Sequence, residues 1–354
     1  MASTCCILVL SQVVDVETKA VLRAAAHAHR ALAELKGTAE RLPNSAILLN
    51  TLVFREAKDS SAIENIITTQ DELYKASVLE DGEKTLATKE VERYGRALLF
   101  GHEELKKTGL LRLNLIERIQ GLLVGNEAGF RKQAGTVLMN DVTGEVVHRP
   151  PQHPDDVLKL LKNLEDYLHA DDELDPLVRM ALLHHQFEII HPFLDGNGRT
   201  GRILNVLFLV KEDLLRMPIL YLSRHIIRTK AQYFQLLQQT RQSVDYEAWL
   251  LYMLAGVEET AKEALILVNE MNGLMMRTKH RLRVALPKIY SQDLLTNLFL
   301  HPYTKIAFIM RDLDVSRVTA TKYLEQLCEH DFVTKHKLGR ENYYVNTSLM
   351  ALLT

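Results

Sequence analysis

Apolar residues recur every three to four positions through most of this chain, the period of a helix that buries one face. The first such stretch is the alanine-rich segment 17–36, which Gly37 should end. Residues 1 to about 20 otherwise carry no clear pattern. After Pro43, Ile47, Leu48, Leu52 and Val53 keep helical spacing and lead into the segment 55–65. Asp59 or Ser60 would cap a short helix there, with Glu64 projecting from it about one turn later. Segments 89–107 and 113–123 predict two more amphipathic helices. The period then changes. Residues 136–139 and 145–148 are short β-like runs around Asn140, Asp141, Val142, Thr143 and Gly144, which predicts a hairpin. Pro150 and Pro151 stop it, because neither can donate to a ladder.

Helical spacing returns at 154–169 and 176–190, then near 199–215, 224–240 and 245–270. A boundary falls near 277–287, where a basic run with Arg277, Lys279, Arg281 and Arg283 leads into a new pattern. From Lys288 the expected order is helix (289–300), helix (303–313), turn, and helix (316–330). Two strands, 332–336 and 342–346, follow around the turn 337–341. Three helices and a small hairpin is the winged-helix order.

A chain of 354 residues can form one large domain or two to three smaller ones, each with a real core. Its net charge of -2 gives no overall drive towards nucleic acid or anionic lipid, so partners must be argued locally. Cys5, Cys6 and Cys328 make no CxxC pair, which argues against a disulfide framework or a zinc site. That usage fits a reducing, cytoplasmic setting. The apolar run 5–10 is too short to span a bilayer and lacks the basic start of a signal peptide. No membrane partner is expected.

The densest chemistry lies at 191–202: His191, Pro192, Phe193, Leu194, Asp195, Gly196, Asn197, Gly198, Arg199, Thr200, Gly201 and Arg202. Apolar helical runs flank it on both sides. Gly196, Asn197 and Gly198 suit a backbone that turns its amides inward. A helix starting near Gly198 would aim its free N–H groups and positive end at the same cavity. Arg199 and Arg202 are three apart, so both could reach anionic oxygens. The cavity should therefore hold a polyphosphate. Asp195 could bind the Mg²⁺ that accompanies a nucleotide. His191 could take a proton from an attacking hydroxyl. Together these predict transfer of part of a nucleotide to a hydroxyl. No Walker A loop is present.

Residues 191–202 match the Fic-family signature His-Pro-Phe-x-Asp/Glu-Gly-Asn-Gly-Arg-x-x-Arg in full, and the resemblance extends from about residue 40 to 260. It implies transfer of AMP from ATP to Tyr, Ser or Thr hydroxyls of proteins, the chain itself included. By position, His191 resembles the general base and Asp195 the Mg²⁺ ligand. The run Gly196, Asn197, Gly198, Arg199, Thr200, Gly201 and Arg202 resembles the ATP cradle, its two arginines on the outer phosphates. Phe193 would anchor the loop. The hairpin at 137–148 resembles the flap on which a target protein docks by strand addition. Asn205 and Tyr233 look like nucleoside-side contacts.

Ser60, Glu64 and Asn65 also fit the family's inhibitory pattern Ser/Thr-x-x-x-Glu-Gly/Asn. In such proteins the glutamate, which borders the ATP site, pairs with the second motif arginine, here Arg202. A bias of about 3 kcal/mol would suppress the competent state more than 100-fold. Some relatives with this glutamate also remove AMP from proteins, and the sequence leaves that alternative open. A reading of another class is a DNA-binding regulator that uses Ser316, Arg317, Thr319, Thr321 and Lys322. Residues 286–354 hold eight Lys/Arg against seven Asp/Glu, so DNA is less favoured there than a protein contact or a homodimer. His184 and His185 lack a second pair at ligand spacing and read as helix packing. Trp249, Tyr252 and Met253 read as a core stripe.

The expected fold is mainly α: a Fic-fold helical bundle with a short β-hairpin flap, plus a C-terminal winged helix. The expected units are 1–105, with an inhibitory helix at about 59–66, then 106–275, and 286–354.

Overall fold

The computed structural model describes residues 10, 15–41, 44–79, 83–139, 144, 146–171, 173–338 and 341–354. Five helices come first: α1 (Lys19–Ala39), α2 (Ser45–Ile63), α3 (Gln70–Ala76), α4 (Leu86–Thr108) and α5 (Leu113–Val124). Two short strands, β1 (Leu138–Met139) and β2 (Val146–His148), pair antiparallel. Then come α6 (Pro154–His169), α7 (Pro176–Ile190), α8 (Asn197–Lys211), α9 (Ser223–Arg228), α10 (Lys230–Ser243) and α11 (Glu247–Ala285). The C-terminal part holds α12 (Gln292–Leu300), β3 (Tyr303–Lys305), α13 (Ile306–Leu313), α14 (Arg317–Glu329), β4 (Thr334–Leu338), β5 (Glu341–Val345) and α15 (Thr347–Leu353).

The core sits around α7 and α8. Every residue of α7 from Leu177 to Ile190 is buried, and so are most of those from Asn197 to Leu209 in α8. A helix apolar all round must be enclosed on every side. Here α4, α5, α6 and α11 surround the pair, and α1 packs along α11. Trp249 on α11 donates its indole N–H to the Ala181 carbonyl at 2.9 Å, which ties α11 to α7. His184 and His185 pack against that indole, with ring centroids 6.0 and 5.6 Å away. They fill the core, and no group of three or more His, Cys, Asp or Glu that could hold a metal exists among the described residues.

Several expected elements differ. The first helix passes Gly37 and ends at Ala39, because one helical glycine costs only about 1 kcal/mol against alanine. Burial of Leu35 and Ala39 outweighs it. The separate inhibitory helix at 59–66 does not exist: Asp59 and Ser60 lie in the last turn of α2, and Glu64 is its C-cap. The helix expected at 224–240 breaks at Thr229, whose hydroxyl bonds the His225 carbonyl and the Tyr252 hydroxyl instead of staying clear of the helix. The helix expected to stop at 270 continues to Ala285, carried by buried Met271, Met275 and Leu282, so the basic run 277–283 is helical. Residues 303–305, expected to open a helix, form β3, where Tyr303 stacks on Tyr343 of β5 at 5.5 Å. The hairpin keeps only 138–139 and 146–148 as strand, with a register shift between Leu138 and Met139. Its expected turn residues 140–143 lie outside the described residues, as do Cys5, Cys6 and Gly339. Helices α3 and α15 had not been expected.

The C-terminal sheet has the order β3-β5-β4 and packs with α12, α13 and α14, a winged-helix arrangement. Val318 and Arg317 at the start of α14 are exposed. This unit rests on α2 and α3: Arg55 of α2 donates to the Leu352 and Leu353 carbonyls, and Tyr303 donates to Asp71 of α3. Among the described residues, no helix is long and apolar enough to cross a membrane.

One buried carboxyl fixes α2 from within. Glu56 accepts from the Tyr94 hydroxyl at 2.9 Å, the Ser223 hydroxyl at 2.5 Å and the Ser223 amide at 3.0 Å. Burial pushes its pKa up to about 7 despite these donors and the nearby Arg202. Glu56→Ala should destabilise the fold by roughly 2–4 kcal/mol, because it leaves the Tyr94 hydroxyl and the Ser223 amide buried without an acceptor. A urea midpoint that falls at unchanged m-value would show this, and an unmoved midpoint would refute it.

Candidate active site

Residues 191–202 join the end of α7 to the start of α8, the two most deeply enclosed helices. His191 is the C-cap of α7 and adopts a left-handed backbone, φ 47 and ψ 61. For a residue with a Cβ that conformation costs about 1–2 kcal/mol, so its surroundings must enforce it. They do so by taking four consecutive carbonyls. His148 bonds the Ile189 oxygen at 2.8 Å, which makes its Nε2 the donor. The Arg131 guanidinium donates to Ile190 at 3.3 Å and His191 at 2.8 Å, and the Arg131 amide donates to Pro192 at 2.8 Å. The chain thereby turns sharply, and the imidazole leaves the helix direction.

The loop is closed by one side chain. Asn197 accepts from the Phe193 amide and donates to the Phe193 carbonyl, each at 2.8 Å. Phe193 is fully buried and stacks on Phe130, with centroids 5.0 Å apart. Gly196 is required twice over: its φ is 78, and a Cβ there would come within 2.9 Å of Val124. Helix α8 begins at Asn197, and the first amide to bond back is Thr200, to the Gly196 carbonyl at 2.9 Å. The opening amides of α8 and its positive dipole end are therefore the local anion-attracting feature.

The two arginines diverge. Arg199 pairs with Glu90 of α4 at 3.2 Å and with Asp195 at 3.4 Å. Arg202, whose side chain is 2% exposed, meets three oxygens of the α2 terminus. Its Nε donates to the Ser60 hydroxyl at 2.8 Å, and one terminal nitrogen donates to the Ser60 carbonyl at 3.0 Å and to Glu64 at 2.7 Å. Burial works to raise the Glu64 pKa, but the Arg202 guanidinium overrides it and holds the carboxyl below its usual range. Burial likewise disfavours the charge on Arg202, and Glu64 more than compensates. A Cβ on Gly198 would lie 2.5 Å from the Glu64 carboxyl, so that glycine leaves the room the pair occupies.

His191 is neutral at ordinary pH. Burial, aided by the neighbouring His148 ring and the Arg131 guanidinium, lowers its pKa to about 4. Asp195 is exposed, and one of its oxygens accepts from the Gly196 amide at 2.6 Å. An exposed carboxylate beside the opening amides of α8 fits Mg²⁺, which uses one or two carboxylates and completes its shell with water and phosphate oxygens.

Of the other expected site residues, Asn65 is exposed and the rest are enclosed. Asn65 has φ 62 and accepts from Lys230 at 3.3 Å. Thr200 and Gly201 are buried, and a Cβ on Gly201 would lie 2.8 Å from the Glu188 carboxyl. Asn205 and Tyr233 are both buried, and the Tyr233 hydroxyl bonds His184 at 2.9 Å. Neither presents a polar group at the surface of the loop. Sequence reasoning missed Glu90, Arg131, His148 and Glu188. Glu188 alone carried a signal, as an acid inside an otherwise apolar run; burial pushes its pKa up to about 7.

Comparisons agree with this geometry. The model described as Fic/DOC family N-terminal matches residues 22–103, and the Fic/DOC family model matches 110–209. A third, the C-terminal domain of SoFic-like protein adenylyltransferases, matches 274–349. The protein adenylyltransferase fic-1 of Caenorhabditis elegans is 35% identical over 86 residues, 24% of this chain and 16% of that one. An Aquifex aeolicus relative named as a protein adenylyltransferase is 30% identical over 174 residues, 48% of this chain and 51% of that one. The chain thus spans about half, or less, of the curated relatives it matches. A Fic family protein from Desulfovibrio desulfuricans shares the fold with TM-score 0.58 and 22% identity, covering 93% of this chain and 96% of that one. The C. elegans Fic-1 structure aligns at TM-score 0.53 and 22% identity, over 69% and 73%.

If Asn197 is the loop's latch, Asn197→Ala should raise the deuterium exchange rate of the Phe193 amide by roughly tenfold, the worth of one buried hydrogen bond. Unchanged protection would mean that the loop is held elsewhere.

Proposed function

Because this chain belongs to the Fic/DOC family, we propose that it is a protein adenylyltransferase, moving AMP from ATP to a hydroxyl of a target protein. The observation that carries this reading is a neutral imidazole at the end of α7, held next to a helix start that bears two buried arginines. The amides opening α8 would hold the α- and β-phosphates, and Arg199 and Arg202 the outer ones. Asp195 would hold Mg²⁺, which supplies charge neutralisation on the phosphates. The target hydroxyl gives its proton to His191 while its oxygen forms the new bond to the α-phosphorus. The bond to the β-phosphate oxygen breaks, and pyrophosphate leaves. The flap fits target docking, since Met139 and Val146 are exposed while Arg241 anchors the Val147 carbonyl at 2.7 Å.

The same geometry supports autoinhibition. Glu64 and a nucleotide γ-phosphate would compete for one guanidinium, so ATP binds productively only when Glu64 withdraws. Asn205 and Tyr233, both enclosed, would reach a nucleoside only through such a rearrangement.

His191→Ala should cut self-labelling from ATP by roughly 10²–10⁴-fold, the usual range for a lost general base, without lowering thermal stability. Glu64→Gly should raise labelling by roughly 100-fold. Labelling that fails to rise would remove the inhibitory role and leave the transferase reading standing. With His191 depressed to about 4, its base form persists well below neutrality. The kcat/KM profile should therefore show no protonation limb near pH 6.5, where an ordinary imidazole titrates, and should fall only as pH approaches 4.

A further inference from the structure

A groove of about 410 Å³ lies between α2 and α4, within the size range of small-molecule sites. Its apolar lining comes from Leu49, Val53 and Phe54 of α2 and from Leu99 of α4. Three of its cations come from α4. Lys89, Arg93 and Arg96 follow one another at helical spacing on α4 and all line it. Lys84 is matched by Glu92 at 3.0 Å, also in the groove wall. By contrast, no carboxylate among the described residues lies within ion-pair distance of Lys89, Arg93 or Arg96. The Arg93 guanidinium lies close to Gly125, where a Cβ would sit 3.3 Å from its central carbon.

Three positive charges with no carboxylate partner among the described residues thus line a partly apolar groove. We propose that this groove is a second binding site, distinct from residues 191–202, for a small organic anion with an apolar body and a carboxylate, sulfonate or phosphate group. The apolar body would lie on Phe54 and Leu99, and the anion between Arg93 and Arg96, whose planar forks suit oxyanions. An occupant would touch both helices that hold the motif arginines. Phe54 lies ten residues before Glu64 on α2, about 15 Å along the axis, and Glu90 of α4 adjoins Lys89.

The test uses the full chain and the fluorescent probe anilinonaphthalene sulfonate, an aromatic body with one sulfonate. Titration should give one saturable site that stays within about twofold in affinity when Mg²⁺ and a non-hydrolysable ATP analogue are saturating. In the Arg93→Gln, Arg96→Gln double variant the Kd should rise at least about tenfold. Leu49→Trp, which fills the apolar part and keeps every cation, should weaken binding as much. The two variants change opposite chemistries, so if one fails to fold the other still decides. Non-saturating fluorescence, an unchanged Kd in a folded variant, or displacement of the probe by the nucleotide would each overturn the proposal.

Discussion

The arrangement of the molecule turns on a guanidinium that cannot stay unpaired. Arg202 sits in a helix enclosed on every side, and a buried cation without a partner would be driven out or would unfold its site. The terminus of α2 answers it with a hydroxyl, a carbonyl and a carboxylate. That requirement fixes where α2 must end and in which rotation it must lie. Glu56, Ser60 and Glu64 are four residues apart and occupy one face, so the internal anchor at Glu56 and the outer contact at Glu64 are set by a single helix register. Residues 191–202 and the terminus of α2 are thus one electrostatic unit.

A second constraint shapes the loop. His191 holds a backbone conformation that its own side chain disfavours, and it persists because four carbonyls in a row are tied down by His148 and Arg131. Both residues come from the hairpin segment and the stretch leading to it. The hairpin segment is therefore bonded directly to the end of the helix that carries His191. Burial that keeps the imidazole neutral comes from the same packing. Position and protonation state share one cause.

Much of this was readable in advance. The motif was legible because its chemistry is local: glycines where the chain must turn, arginines one helical turn apart, a histidine at a helix end. Most helices were legible from apolar spacing, which reports burial of one face. The misses have specific causes. Thr229 breaks a helix because its hydroxyl finds Tyr252, a residue of another helix. Gly37 fails to stop one because the residues beside it reach the core. Glu90 and Arg131 look like any other charged residues of an exposed helix or loop until the fold sets them against Arg199 and the end of α7.

The sequence by itself determined which residues could do the chemistry, since residue type and spacing along one segment fix those possibilities, and only its resemblance to the Fic inhibitory pattern implied that Glu64 would meet Arg202. Only the tertiary structure decided that Ser60 and Glu64 stand at the end of a long helix rather than in a short one of their own. It alone decided that Arg199 is held by Glu90, and that cations of α4 line one groove with apolar residues of α2. Those outcomes depend on which surfaces meet when separate helices pack, and the distance between their residues along the chain carries no record of that meeting.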